Sequence, residues 1–480
     1  MTLVDGDDAA GVARVQDLID RGVLTGAVFH DSRAVEPGSL YACLRSEHFD
    51  GHDFAARAVA AGAVAVLTDH ELEGVDAEQV VVDDTRLRIG PISALVAGNP
   101  SRSLLSVGIT GTNGKTTTAQ MLASILEADG RSTGVVGTLH GPRTTPEAPE
   151  LQRVLRGFVD DGKSAAVLEV SSHALALHRV AGTEFDAVVF TNLGHDHLDL
   201  HGSREEYFRA KASLFSATYA PVGVVNVDDT HGRLLADTVG SSAGNEFRIV
   251  PFSVGDLRDV VVTALSHRYT WRDVQIDVPI GGRFNVSNSL AAMTTAAELG
   301  IDLEIAARGL AALPPVPGRF EVVDSPVAQE RGITVVVDYA HTPDGLDEVL
   351  ETSRQVTAPG SRLIVVFGCG GDRDRAKRPE MGAVAARLAD RVVVTSDNPR
   401  HESPTDIIEE IVNGIEPGAR ARVITDPDRQ SAIAGALALA ARGDVVIIAG
   451  KGHERTQEFA DGTIDFDDRM IVRQCLEDAS

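Results

Sequence analysis

A glycine-rich segment, GITGTNGKT at 108–116, has the residue types that bind a phosphate. An apolar run ends at its first residues and a helical pattern begins near Lys115, so backbone N–H groups can turn inward at a helix N-terminus. Lys115 can reach the outer phosphates of a nucleotide, and the Thr116 hydroxyl can bind Mg²⁺. The strict P-loop pattern requires glycine at 109, where the chain has Ile109. The segment predicts a variant phosphate loop; the alternative is a glycine-rich turn without a ligand.

Polar side chains follow two further apolar runs. Glu169 lies at the end of AAVLEV, and His197 and Asp199 come just after AVVFTN. A carboxylate and an imidazole at neighbouring strand ends could hold Mg²⁺ beside the phosphates, although each alone is more often a surface or capping residue. Lys211 lies in the helical pattern SREEYFRAKASLF, where the residues alone favour a solvated lysine.

Two later segments carry similar clusters. Asp338, Tyr339 and His341 follow GITVVVD, and the alternative there is a turn into a proline-started helix. In TSDNPRHESP, Arg400 follows an Asn-Pro turn after the run RVVVTS. Together with Arg373 it could bind a carboxylate, which predicts a pocket for a second amino acid; the alternative is a loop that leads into a helix.

The composition excludes several classes of protein. The chain has 480 residues, which is enough for roughly three domains. With 44 basic and 70 acidic residues its net charge is -26, which opposes nucleic-acid binding. We expect no membrane span, because no apolar run of about 18 residues occurs. Three widely spaced cysteines and an acidic N-terminus without an apolar core are typical of the reducing cytoplasm.

The order of apolar runs predicts an α/β protein of three domains. Residues 1–97 are expected to form a small α/β domain that ends at the polar turn AGNPSRS. In 98–317, valine-rich runs alternate with helical patterns, which predicts a mainly parallel, P-loop-type sheet with flanking helices and an antiparallel insertion at 257–284. After the proline-rich hinge LPPVPGRFE, 318–480 should form a doubly wound, Rossmann-like domain.

Motifs along nearly the whole chain resemble those of the Mur ligases, which are relatives of the folylpolyglutamate synthetases. They include GTNGKTTT, TTPEAPELQ, EVSSHALALHRV, YFRAKASLF, DYAHTPDGL, DNPR and GKGHE. The resemblance is strongest to the branch that adds the third residue of the peptide. It implies a cytoplasmic, ATP-dependent amide ligase that uses Mg²⁺ and joins meso-2,6-diaminopimelate to UDP-N-acetylmuramoyl-L-alanyl-D-glutamate through an acyl phosphate. Such an enzyme serves peptidoglycan synthesis, and hence cell-wall biogenesis, cell shape and cell division.

The resemblance also implies roles for individual residues. ATP is expected to contact Gly111, Thr112, Asn113, Gly114, Lys115, Thr116, Thr117, Asn285, Arg319, Asp338 and Tyr339. Catalysis is expected of Lys115, Lys211, His197 and His341, with Mg²⁺ bound by Thr116, Glu169, His197 and Lys211, the last as a carbamate (N6-carboxylysine). The UDP-muramyl dipeptide is expected at Ser32, Glu47, His48, Phe49, Thr144, Thr145, Ser171 and Arg179. Diaminopimelate is expected at Arg373, Asp397, Asn398, Pro399, Arg400, Gly450 and Glu454.

Alternatives remain open on the sequence alone. The acceptor could be L-lysine or another diamino acid, although lysine lacks a distal carboxylate and would leave Arg400 unpaired. A folylpolyglutamate-synthetase-like ligase should lack the DNPR segment and the first domain. A non-catalytic protein could bind the UDP-muramyl peptide without turnover. We expect a monomer whose partners are small molecules.

Overall fold

The computed structural model describes residues 6–46, 49–194, 203–242 and 246–478. Its first lobe is a four-stranded parallel sheet, in the order β1-β2-β3-β4, with its helices packed on it. Apolar and aromatic side chains are buried on both faces, among them Leu40, Leu67 and Val80 on one side and Tyr41 and Val66 on the other. The elements are α1 (Gly6–Asp20), β1 (Val28–Phe29), β2 (Ser39–Ala42), α2 (Ala55–Ala60), β3 (Ala63–Thr68), β4 (Glu78–Val81) and α3 (Thr85–Val96).

The middle lobe is built on a six-stranded parallel sheet in the order β10-β9-β8-β5-β7-β6. The central strand β5 carries the phosphate loop at its carboxyl end, where ligands of open α/β sheets bind. The elements of this sheet layer are β5 (Leu105–Thr110), α4 (Lys115–Ala128), β6 (Thr133–Val136), α5 (Ala148–Asp160), β7 (Ala165–Glu169), α6 (Ser172–Ala176), β8 (Ala187–Phe190), α7 (Arg204–Ala212), β9 (Val222–Asn226), α8 (Thr230–Ser242) and β10 (Arg248–Phe252).

An antiparallel three-stranded sheet follows, as the alternating pattern at 257–284 predicted. It comprises β11 (Arg258–Val262), β12 (His267–Trp271) and β13 (Val274–Val278), and is followed by α9 (Arg283–Glu298) and α10 (Leu303–Ala311). Helices α9 and α10 pack against α4, so one apolar core joins this sheet to the helix that begins at Lys115.

The last lobe is doubly wound, with strand order β14-β15-β19-β16-β17-β18 and an antiparallel edge strand β14. Separate apolar clusters cover its two faces. The elements are β14 (Glu321–Val322), α11 (Pro326–Arg331), β15 (Thr334–Asp338), α12 (Pro343–Val356), β16 (Leu363–Phe367), α13 (Lys377–Leu388), β17 (Arg391–Val394), α14 (Pro404–Asn413), β18 (Val423–Thr425), α15 (Arg429–Leu439), β19 (Val445–Ala449), β20 (Thr456–Phe459), β21 (Gly462–Asp465) and α16 (Asp468–Asp478). Short 3₁₀ turns lie at Gly51–Phe54, Pro100–Ser103, Val254–Asp256 and Pro417–Arg422.

The predicted α/β fold class is confirmed, including the parallel middle sheet and the doubly wound last lobe. Each large sheet lies within one of the three predicted segments, while the boundaries near 97 and 317 stay predictions. None of the helices in the described part of the chain is both long and apolar enough to cross a membrane.

Candidate active site

The loop between β5 and α4 takes a conformation that requires glycine. Gly111 has φ 151° and Gly114 has φ 84°. A Cβ at Gly111 would lie 1.9 Å from the Thr191 hydroxyl oxygen, and one at Gly114 would lie 2.3 Å from Oδ1 of Asn288. Because Gly114 has no side chain to cap α4, the N–H groups of the first turn remain available to an anion. Lys115 Nζ donates to the carbonyl oxygens of Gly111 and Thr112, both at 2.8 Å.

Glu169 lies directly beside the phosphate loop. Its Oε2 accepts a hydrogen bond from the Thr116 hydroxyl at 2.8 Å, and its Oε1 accepts one from the Thr138 backbone N–H at 2.9 Å. Glu169 is 1% exposed, so its carboxylate is aimed at the loop and away from bulk water. Two of the four predicted Mg²⁺ ligands are thus in contact, whereas His197 and its neighbour Asp199 lie outside the described residues. Oxygen donors of this kind are those that Mg²⁺ prefers.

Lys211 is buried, so the interpretation of this residue as a solvated surface lysine is wrong. It is 1% exposed, its Nζ donates to the Gly111 carbonyl at 2.8 Å, and it lies 4.6 Å from the centre of the Tyr207 ring. The Tyr207 hydroxyl in turn lies 2.9 Å from the Thr112 hydroxyl. Helix α7 therefore packs its lysine under the phosphate loop, which the position of Lys211 on a charged helix did not reveal.

The last lobe brings a second polar face against this loop. Arg319 Nη2 donates to the Thr116 hydroxyl at 3.2 Å, and its guanidinium lies 4.4 Å from the centre of the Tyr339 ring. The Tyr339 ring lies 4.5 Å from that of His341, whose Nδ1 is 2.9 Å from the Tyr339 carbonyl oxygen. Asp338 accepts two backbone N–H bonds, and burial raises its pKa. Arg319 therefore links the middle and last lobes at the phosphate loop.

A cavity of about 650 Å³ lies between these two faces, a size that suits a nucleotide. The phosphate loop, Glu169, Arg319, Tyr339 and His341 line it. Residues that the sequence did not single out line it too: Val254, Phe284, Asn288, Glu348 and Thr352.

The predicted ATP contact Asn285 does not itself line this cavity. It is fully buried, donates to the Gly281 carbonyl at 2.7 Å, and accepts from Nδ2 of Asn288 at 2.9 Å. Asn288, one helical turn later on α9, lines the cavity in front of it. Asn288 could have been found from the sequence, because residues three positions apart on a helix lie side by side and Asn285 had been singled out.

The predicted dipeptide-binding residues Thr144, Thr145, Ser171 and Arg179 gather next to Glu169. The Thr145 hydroxyl donates to the Glu169 carbonyl at 2.8 Å and accepts from the Ser171 N–H at 3.1 Å. Arg179 Nη1 donates to the Thr145 carbonyl at 3.2 Å. The Thr144 hydroxyl lies 3.0 Å from that of Thr138.

Glu147 joins this group to the first lobe. Its carboxylate pairs with Arg179 at 2.8 Å and with Arg86, on α3, at 2.7 Å. Burial alone would raise the pKa of Glu147, but the two arginines outweigh it and lower that pKa. In the first lobe itself, Ser32 is buried and Phe49 is 68% exposed, while Glu47 and His48 lie outside the described residues.

A cavity of about 690 Å³ lies between the middle lobe, where Thr138 and Leu139 line it, and the last lobe, where three predicted diaminopimelate residues line it: Asn398, Arg400 and Glu454. Asn398 Nδ2 donates to Glu454 Oε2 at 2.9 Å. Lys451, which the sequence did not single out, is fully buried and donates to Asn398 Oδ1 at 3.0 Å and to Glu454 Oε2 at 2.8 Å. Gly450 has φ 113°, and a Cβ there would lie 2.6 Å from Asp397 Oδ2, so this approach requires glycine.

Arg400 lies at the mouth of this pocket in a left-handed backbone conformation, φ 52°. Its Nε donates to Glu458 Oε2 at 2.9 Å and its Nη1 to the Gly371 carbonyl at 2.7 Å. Arg373 is exposed on the neighbouring loop, which follows β16, and Gly370 separates the two arginines: its Cβ position lies 3.1 Å from Arg400 Nη1 and 3.7 Å from Arg373 Cγ.

Two buried arginines donate hydrogen bonds to the loops that carry these residues. Arg378 is fully buried and pairs with Glu402 and Glu410, both at 2.8 Å. Arg429 and Asp468 are both fully buried, and Arg429 also donates to the carbonyls of Ser396 and Ala449 at the ends of β17 and β19. The predicted contact Pro399 is buried. Sequence reasoning missed both arginines, because nothing local distinguishes them from surface residues.

Comparison with known proteins assigns all three lobes. Residues 109–296 match the Mur ligase middle domain, 318–452 the Mur ligase glutamate ligase domain, and 26–95 the catalytic domain of the Mur ligase family. The UDP-N-acetylmuramoyl-L-alanyl-D-glutamate--2,6-diaminopimelate ligase of Streptomyces avermitilis is 43% identical over 95% of this chain and 94% of its own. The chain belongs to the Mur ligase family.

Solved structures of Mur ligases agree with this assignment. A UDP-N-acetylmuramoyl-L-alanyl-D-glutamate--2,6-diaminopimelate ligase superimposes with a TM-score of 0.66 at 34% identity, covering 94% of this chain and 95% of the other. The MurF ligase of Thermotoga maritima in complex with ADP superimposes with a TM-score of 0.65 at 22% identity, covering 95% of this chain and 99% of the other, and this shows the shared fold. The predicted resemblance to the Mur ligases is confirmed.

Proposed function

We propose that this Mur ligase is an ATP-dependent amide ligase that joins meso-2,6-diaminopimelate to UDP-N-acetylmuramoyl-L-alanyl-D-glutamate in peptidoglycan precursor synthesis. Relatives that carry this activity in their names match almost the whole chain. One structural observation supports the proposal most: Thr138 lines both the nucleotide-sized cavity and the amino-acid pocket. The phosphate loop, the dipeptide group and the pocket therefore adjoin at one point.

In the proposed reaction, the γ-phosphoryl group of ATP passes to the side-chain carboxylate of D-glutamate and gives an acyl phosphate. The amine of diaminopimelate then attacks the acyl carbon, and phosphate leaves from the tetrahedral intermediate. Phosphoryl transfer needs mainly positioning and charge neutralisation, which Lys115 and Arg319 supply at the loop. We propose that closure of the lobes over the cavity keeps water from the acyl phosphate.

The residues beside the loop suit a hard divalent cation. Thr116 and Glu169 offer oxygen donors 2.8 Å apart, and their contact is buried. Mg²⁺ held there would neutralise charge on the transferring phosphoryl group. Lys211, as its carbamate, would add a further carboxylate, whereas its ammonium form would repel the ion. Carbamylation and the part of His197 are proposals that follow from the family resemblance.

The acceptor pocket offers both signs of charge. Glu454 and Asp397 suit the ammonium of an amino acid, and the Arg400 guanidinium suits a carboxylate. Diaminopimelate has an amino-acid group at each end, while lysine ends in an ammonium and lacks the distal carboxylate, which gives Arg400 nothing to pair with. A substrate that leaves the pocket arginine without a carboxylate partner is strongly disfavoured, so we propose that the pocket selects diaminopimelate over lysine.

The three lobes divide the substrates in this proposal. Residues 1–97 bind the UDP end through Ser32 and the 47–49 segment, 98–317 bind ATP and the dipeptide, and 318–480 bind the amino acid. We propose a monomer that works in the cytoplasm, where these substrates are made.

A turnover assay with two amino acids tests the function. The protein is incubated with ATP, Mg²⁺, UDP-muramyl dipeptide and either diaminopimelate or lysine, and phosphate release and product mass are measured. We expect product with diaminopimelate only; Lys115→Met should abolish it, while the matched control Lys163→Met, whose lysine packs on Phe158, should not. Equal turnover with lysine would refute the pocket argument. Binding of the UDP-peptide without any turnover would identify a non-catalytic binding protein.

A further inference from the structure

A cluster of metal-binding side chains lies in the first lobe, away from the cavities described above. His52 lies in the 3₁₀ turn Gly51–Phe54, and Asp69 and His70 come directly after β3. One candidate ligand atom from each lies within 4.8 Å of the others. The turn and the strand end are thus brought together by side chains that can share one ion.

His52 has the features of an oriented metal ligand. Its side chain is only 6% exposed. Its Nδ1 lies 2.5 Å from Asp50 Oδ1, and because an ionised carboxylate only accepts hydrogen bonds, Nδ1 carries the proton. Nε2 is then the atom with the lone pair. A carboxylate behind a ligating histidine is the usual arrangement in protein metal sites.

The Nε2 atom of His52 is buried and has no hydrogen-bond partner among the described residues. Asp69 Oδ1 lies only 3.2 Å from it, but off the line that a hydrogen bond needs. Two ligands at about 2.0–2.1 Å on a tetrahedral ion lie about 3.3 Å apart, with the ion off the line between them. The spacing of these two atoms is therefore that of two ligands of one ion.

The remaining contacts leave Asp69 able to bind. Its Oδ2 pairs with Arg45 at 2.7 Å, while its Oδ1 faces His70 Nδ1 at 2.5 Å. The carboxylates of Asp50 and Asp69 outnumber the Arg45 guanidinium, so the cluster is net negative when both imidazoles are neutral.

We propose that Nε2 of His52, Oδ1 of Asp69 and a ring nitrogen of His70 bind one transition-metal cation of the Zn²⁺ class, with water as a further ligand. Imidazole nitrogen selects Zn²⁺, Co²⁺ or Ni²⁺ over Mg²⁺, so this site is distinct from the oxygen donors at the phosphate loop. The ion would displace the proton shared by Asp69 and His70 and tie the Gly51–Phe54 turn to the end of β3. The proposal does not depend on the ligase activity.

Metal titration of the full chain tests this site. Protein freed of metal with a chelator is titrated with Co²⁺, whose visible absorption reports a low-coordinate site with nitrogen ligands, and Zn²⁺ is then added as competitor. We expect one Zn²⁺-displaceable Co²⁺ per chain and no displacement by Mg²⁺. His70→Ala, at a side chain that is 53% exposed and so tolerant of change, should weaken binding at least about tenfold.

His401→Ala is the matched control, because His401 is also an exposed histidine that faces a carboxylate, Asp372 at 2.8 Å. It should bind Co²⁺ as the unmodified protein does, and Zn²⁺ should raise the melting temperature of these two proteins by more than that of His70→Ala. Absence of a Zn²⁺-displaceable Co²⁺ signal in the unmodified protein would overturn the proposal. It would also be overturned if His70→Ala and His52→Gln both bound Co²⁺ as tightly as the unmodified protein, since that result would place the ion elsewhere.

Discussion

Replacing Arg429 with methionine should destabilise the last lobe strongly. Arg429 and Asp468 are both fully buried, and the guanidinium makes two hydrogen bonds to the carboxylate, at 2.8 and 2.7 Å. It also donates to the Ser396 and Ala449 carbonyls at 3.1 and 3.0 Å. The variant therefore leaves a buried carboxylate without its cation and two strand ends without their common donor.

The magnitude follows from these contacts. Removing one partner of a buried ion pair costs about 3–5 kcal/mol, and each lost carbonyl bond costs about 1 kcal/mol. The sum, about 5–7 kcal/mol, is comparable with the whole stability of a domain. At about 2–4 °C per kcal/mol for a lobe of this size, the melting transition should fall by at least about 10 °C.

Differential scanning calorimetry is the suitable assay, because lobes of one chain can unfold in separate transitions. The double variant Arg429→Met/Asp468→Leu removes the stranded charge and should recover part of the loss. Arg209→Met is the matched control: Arg209 pairs with Glu206 on the surface at 73% exposure, so its loss should shift the transition by about 1 °C at most.

Two results would refute this reasoning. If Arg429→Met melted within about 2 °C of the unmodified protein, the buried pair would not support the lobe. If the double variant were no more stable than the single one, the stranded Asp468 carboxylate would not be the source of the cost.

Three further predictions concern the site. Lys211→Ala should lower kcat at least about a hundredfold with partial rescue by formate, because a small carboxylate can replace a carbamate; full activity without formate would rule out the carbamate. Arg400→Lys should raise KM for diaminopimelate about tenfold or more and leave KM for ATP unchanged, because an ammonium cannot keep the contacts to Gly371 and Glu458 and also bind a carboxylate. An unchanged KM for diaminopimelate would contradict it. Burial raises the pKa of Glu348 from 4.5 to about 7. Between these two pH values the folded protein holds a proton that the unfolded chain has released, so the stability of the protein falls as pH rises from 4.5 to about 7. Glu348→Gln should therefore gain in melting temperature relative to the unmodified protein between about pH 5 and about pH 8; a constant difference would show that Glu348 does not titrate there.

The strands and the phosphate loop could be predicted from sequence because their signals are local. Valine-rich runs such as the one that ends at Glu169 read directly as buried strands, and the glycines of the loop fix a turn that few other residues adopt. Glu169 itself was found because it ends such a strand.

The buried charges could not be predicted in the same way. Lys211, Arg378, Arg429 and Lys451 each sit in segments whose pattern is typical of exposed residues. What buries them is a partner distant in sequence: Gly111 lies 100 residues from Lys211, and Asp468 lies 39 residues from Arg429. Such pairings depend on how elements pack, which hydrophobic periodicity does not encode.

The position of Glu147 has a consequence for how the first and middle lobes respond to bound anions. Its carboxylate is shared by an arginine of the first lobe and by Arg179, beside the phosphate loop. A ligand anion that draws Arg179 away leaves Glu147 to Arg86 alone, so occupancy near the loop changes the electrostatic restraint on the first lobe. By thermodynamic reciprocity, if a ligand at Arg179 changes the affinity for a ligand at Arg86, the second ligand changes the affinity for the first by the same factor. The Glu147 carboxylate thus couples the charge state of the region beside the phosphate loop to that of the first lobe.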